Sequence, residues 1–142
     1  LEESARELTD EELRWLESQA VDIRNDADAR FFAAYLMGLS HRQASVEALG
    51  RIALLPLPAS KNPRIIEQER AFRASAVEGL SLSCKSFPNA VKDALLDIVS
   101  RQTDEFLRDR ANRGLYACQT GKSIEAQDLE ALKRLQSRGA GE

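Results

Sequence analysis

Three arginines set the frame. With Arg30, Arg73 and Arg108 in register, the residues around them match position by position. Four residues earlier stand Asp26, Glu69 and Asp104; three later, Ala33, Ala76 and Ala111; seven later, Met37, Leu80 and Leu115; ten later, Ser40, Ser83 and Cys118. A second set matches itself in the same way: Ala48-Leu49 with Ile52, Ala94-Leu95 with Ile98, and Ala131-Leu132 with Leu135. The first set recurs at steps of 43 and 35 residues and the second at 46 and 37, so both lengthen across the Pro-rich stretch from Pro56 to Pro63. One unit of about 35 residues with a single insertion accounts for both. A helical hairpin of that length cannot bury its own apolar face, whereas a row of hairpins buries a continuous core. Within it, the small Ala33, Ala76 and Ala111 let helices approach closely. The acid and Arg at i and i+4 are expected to pair along the helix surface.

The local pattern is helical throughout. Apolar residues recur at steps of three and four, and clean period-two alternation is missing. Thr9 with Glu12 forms a capping box, and Leu8 with Leu13 a hydrophobic staple. They open a helix whose buried stripe is Leu13, Leu16, Ala20 and Ile23. A second helix is expected from about Asp26 to Leu39. Ser40 with Gln43 reads as another capping box, opening a third helix through Leu55. Pro56, Pro58 and Pro63 exclude helix, so 56–63 is a loop. Asn62-Pro63 starts the next helix, to about Ser83. Pro88 opens one to about Arg101, Thr103 caps one through Cys118, and Gly121 breaks it. Ser123 caps a last helix to about Gln136, with residues 137–142 expected to fray. The expectation is one domain over 1–142, with polar outer faces on its first and last helices that mark it as complete.

Ala29-Arg30 followed by Ala33-Ala34 and Gly38-Leu39, Phe72-Arg73 with Ala76, and Leu107-Arg108 with Ala111 resemble the second-helix pattern of HEAT repeats. The resemblance spans about residues 9 to 136. The chain departs from the pattern where Ser81 and Tyr116 stand in place of the Gly that Gly38 supplies, and only Pro88 stands for the first-helix proline. The resemblance implies an all-α fold: a short right-handed α-solenoid of about seven antiparallel helices, in three to four HEAT-like hairpins. It also implies that the second helices line a concave surface. Positions two and five beyond each register Arg then offer Phe32 and Tyr35, Ser75 and Glu78, and Arg110 and Arg113 as partner-binding residues. That strip runs from aromatic through acidic to basic.

Composition narrows the function. One His and two Cys leave little for a zinc site or a His-dependent nucleophile. Cys84 and Cys118 read either as small buried hydrophobes or as a disulfide. The first reading is favoured, because each closes an apolar helical pattern. A net charge of −3 excludes general attraction to nucleic acid, but residues 1–28 hold ten acids and three bases, so the remainder is positive. Arg101, Arg108, Arg110 and Arg113 crowd one region, diluted by Asp104, Glu105 and Asp109. Thr120-Gly121-Lys122-Ser123 resembles the end of a phosphate loop, but Tyr116 occupies the position that needs Gly. His41 reads as an exposed first-turn residue. Trp15 falls off the first apolar stripe; it either packs on the second helix or stands exposed as an anchor. No run approaches the roughly 18 apolar residues of a bilayer span. Leu1-Glu2-Glu3 shows neither region of a signal peptide, and a cytoplasmic location is the default. No catalytic residue, cofactor or metal is expected. The expected function is a non-enzymatic scaffold binding another protein or peptide, alone or within a larger complex. Nucleic-acid binding through the Arg-rich second helices is the alternative.

Overall fold

A computed structural model describes residues 2–122 and 124–140, without the side chains of 2, 124, 125, 139 and 140. The described residues form eight helices and no strand: α1 (Glu2–Arg6), α2 (Asp10–Val21), α3 (Ala27–Leu39), α4 (Gln43–Leu54), α5 (Pro63–Leu82), α6 (Pro88–Arg101), α7 (Glu105–Thr120) and α8 (Ile124–Ala140). α2 packs on α3, α4 on α5, and α6 on α7. α2, α4 and α6 adjoin in succession, as do α3, α5 and α7, so the three pairs form two layers. α1 rests on α3, and α8 on α7.

The core lies between the layers. Leu13, Leu16, Leu49, Ile52, Leu95 and Ile98 enter it from one side; Ala33, Met37, Phe72, Ala76, Leu80 and Ala111 enter from the other. The small residues bring the second-layer helices together. A Cβ on Gly38 of α3 would lie 3.5 Å from Gly79 Cα of α5, and one on Gly114 of α7 would lie 2.8 Å from Ser81 Oγ.

Several local expectations hold. Thr9 and Glu12 make the reciprocal capping box, Asn62 Oδ1 accepts the Arg64 N–H at the start of α5, and Pro88 opens α6. Gly121 ends α7 with a left-handed φ of 77°.

Others are corrected. α1 carries too little apolar pattern to be seen in the sequence, yet its Ala5 is buried. α2 stops before Ile23, which is exposed. Asp22 Oδ1 accepts the Arg24 N–H and turns the chain there. Ser40 does not cap α4. It closes α3, its hydroxyl donating to the Met37 carbonyl and meeting Ser45 Oγ, and α4 starts at Gln43 with no side-chain cap. His41 is therefore not in a first turn but in the α3–α4 link, with a φ of 50°. Asp104, not Thr103, caps α7 by accepting the Leu107 N–H. α8 runs beyond Gln136 to Ala140. Its outer face is not polar, for Leu129, Leu132 and Leu135 are exposed, so the large residues of the second repeat set are buried on α4 and α6 but not on α8. Ser123 and residues 141–142 lie outside the described residues.

Candidate docking surface

The arginines that gave the register hold the layers in place. Each donates its Nε to a carbonyl at the end of the preceding helix: Arg30 to Ala20 at 2.8 Å, Arg73 to Leu55 at 2.8 Å and Arg108 to Val99 at 3.1 Å. Those carbonyls have no partner within their own helix and form the negative pole of its dipole, so a cation is the natural cap. Arg73 also donates to the Pro56 carbonyl at 2.8 Å, and Gln102 Nε2 to that of Ala53 at 2.8 Å, which anchors the base of the Pro-rich loop.

The acids at i−4 behave differently from expectation. Glu69–Arg73 is an i, i+4 pair at 2.7 Å. Asp26 and Asp104 are instead the residues before their helices, and their backbone carbonyls accept the Arg30 and Arg108 N–H groups. Other ties cross between helices. Arg30 grips Glu69 through two bonds of 2.6 and 3.1 Å, joining α3 to α5. Arg70 grips Asp104 through contacts of 3.0 to 3.2 Å, joining α5 to α7. Arg30, Glu69 and Arg73 are all buried, and the Arg30 guanidinium lies 4.5 Å from the centre of the Phe72 ring. Arg30 first, then Arg73, hold the Glu69 carboxyl below the usual carboxylate range against the opposing effect of burial. Burial pushes Asp104 up, but Arg70 and the Leu107 N–H together pull it down further.

This frame leaves a groove on the outer side of the second layer. A hollow of about 490 Å³ lies between α3 and α5. Phe31, Phe32 and Tyr35 line it from α3, and Ser75, Glu78 and Leu82 from α5. A second hollow, of about 420 Å³, continues towards α7, where Ser75 and Glu78 recur with Arg70, Phe106 and Arg110. Phe32, Tyr35, Ser75 and Glu78 are thus brought together, with Arg110 at the far end. Arg113 is not. Its Nε meets Asp109 at 3.0 Å, its Nη1 meets Asp128 of α8, and its carbonyl accepts from Gln127. Arg110 is itself occupied, 3.6 Å from Asp128 and 5.0 Å from the Phe106 ring centre.

The strip read from the sequence missed Phe31, Leu82 and Phe106. Leu82 had a signal: it stands nine residues beyond Arg73, as Leu39 stands nine beyond Arg30, and both line the first hollow. On the other side of α3 lies a third hollow, of about 320 Å³, where Trp15 meets Leu8, Leu16 and Leu36 beside Glu11 and Glu12. Trp15 is 61% exposed, so it stands at the surface on the rim of that hollow and not in the core.

Cys84 and Cys118 form a disulfide, with their Cα atoms 5.6 Å apart. The reading as two buried hydrophobes is corrected: both are only half-buried, and the side-by-side packing of α5 and α7 aligns their ends. Disulfides persist where the surroundings are oxidising, so the cysteines lend no support to a reducing compartment. No helix among the described residues is long and apolar enough to cross a membrane.

The first hollow offers apolar area, the carboxylates of Asp28 and Glu78 and the hydroxyls of Tyr35 and Ser75. The Ser75 O–H is committed to the Phe72 carbonyl at 2.6 Å. Such a set can desolvate an apolar side chain and meet a cation. No family model matches the chain, nor does any curated protein or solved structure.

Proposed function

We propose that this chain is a short right-handed α-solenoid of HEAT-like hairpins acting as a non-enzymatic scaffold. It docks a peptide or helix of another protein on the face of its second helices, α3, α5 and α7. The repeat reading is supported by Arg30, Arg73 and Arg108, each of which donates its Nε to a carbonyl near the C-terminal end of the preceding helix in three successive pairs. The functional reading is carried by one observation: Phe32 and Tyr35 stand 51% and 54% exposed on the wall of an apolar groove. Aromatic side chains at the centre of a groove are the usual anchors of a protein interface, where a few residues supply most of the affinity. Nucleic acid ranks second as a partner, because Arg70, Arg110 and Arg113 already face carboxylates.

The test is affinity capture from the source cells with the wild-type chain and with the Phe32→Ala/Tyr35→Ala double variant, both first shown to be equally helical by circular dichroism. The expected outcome is a partner retained at least tenfold better by the wild type. An identical set of captured proteins would show that the groove is not the docking face. Binding to duplex or single-stranded nucleic acid that weakens steeply with salt would favour the second reading.

A further inference from the structure

The two apolar hollows on either side of α3 share a feature that the docking reading does not use. Neither is lined by any Lys, Arg or His. Glu11 and Glu12 border the one that holds Trp15, and Asp28 and Glu78 border the one that holds Phe32 and Tyr35. Cations flank the groove at its ends: Arg70 and Arg110 towards α7, and Arg6, Arg42 and Lys85 around a neighbouring hollow that shares Leu82, while Arg30 and Arg73 lie in the core. Residues 1–28, which build much of this end, carry a net charge of −7.

We infer that the occupant of this surface is a cationic amphipathic segment of a partner protein, its apolar side chains seated between α3 and α5 and its Lys or Arg side chains facing Asp28, Glu78, Glu11 and Glu12. The inference rests on the docking reading and adds the chemistry of the partner. Carboxylates on the rim of an apolar groove raise the association rate of a positive partner and set its register. The exposed faces of Phe32, Tyr35 and Trp15 accept a guanidinium or ammonium as well as an aliphatic stem. An acidic segment of equal apolarity would set like charges against four carboxylates, which selects against it. A helix meets such a groove through apolar residues at i, i+3, i+4 and i+7.

A random peptide library displayed on phage and panned on the intact protein tests this, with counter-selection on the Phe32→Ala/Tyr35→Ala variant. The expected binders carry Leu, Ile or aromatic residues at helical spacing and a net positive charge. Synthesised, they shift the fluorescence of Trp15, the one tryptophan. They lose at least tenfold in affinity against the Asp28→Lys/Glu78→Lys variant and severalfold against the milder Asp28→Asn/Glu78→Gln. Circular dichroism of both variants guards against misfolding. Binders that need Phe32 and Tyr35 but are neutral or acidic overturn the inference and leave the docking reading standing. Cationic binders indifferent to both carboxylate variants also overturn it. If no peptide needs Phe32 and Tyr35, the docking reading falls with it.

Discussion

Glu69→Gln is the sharpest probe of how the layers are joined. The carboxylate accepts bonds of 2.6 and 3.1 Å from Arg30 and 2.7 Å from Arg73. All three side chains are buried, with the two arginines 4% and the acid 6% exposed. Each charge-assisted bond contributes about 1.5–3 kcal/mol, but the three share one acceptor group and do not add. An amide keeps one oxygen, turns an N–H towards a guanidinium and leaves two buried cations uncompensated. Removing one partner from a buried pair costs about 3–5 kcal/mol, a large part of the roughly 5–15 kcal/mol that holds a domain of this size. The melting midpoint should fall by about 10–15 °C. The pH dependence gives a second reading of the same bond. The two guanidiniums flank the carboxylate only in the folded chain, so its folded pKa lies below the ordinary value of 4.5. Its stabilisation is therefore complete above that value and is lost as pH falls through the folded pKa. Urea denaturation of both proteins between about pH 7 and pH 3 should show the gap narrowing on acidification. A loss under about 1 kcal/mol at neutral pH, or a gap that does not narrow, would refute the idea that Glu69 is the electrostatic clasp between α3 and α5.

Two further outcomes follow from the packing. Cys84→Ser, or reductant on the wild type, should lower stability by about 3–4 kcal/mol, because the disulfide closes a sequence separation of 34 residues; a urea midpoint indifferent to reductant would show that the bond contributes nothing. Gly38→Ala should stabilise by about 0.5–1 kcal/mol through helix propensity, since its Cβ meets Gly79 Cα at an ordinary 3.5 Å; a fall in the melting midpoint would show that α3 and α5 cannot yield at their crossing.

The helices were legible in the sequence because their signals are local. Thr9 with Glu12, Asn62 before Pro63, Pro88 and Gly121 each satisfy or remove backbone groups within a few residues, and each marks a boundary in the folded chain. Local signals misled where two ends compete for one residue: Ser40 reads as the start of α4 but closes α3. Phe32, Tyr35, Ser75 and Glu78 share one groove; the resemblance to HEAT second helices, not spacing alone, pointed to them. Arg113 was lost to that strip because α8 folds back to meet it.

By itself the amino-acid sequence determined an all-helical chain, the caps at Thr9 and Asn62 and a sequence register on Arg30, Arg73 and Arg108, all of which depend on spacing along the backbone. The tertiary structure alone decided that Glu69 clasps Arg30 from the neighbouring helix, that Cys84 meets Cys118, that Trp15 stands exposed and that α8 displays Leu129, Leu132 and Leu135. Those outcomes turn on which helix lies beside which, and a carboxylate 39 residues from its guanidinium has no local signature of its partner.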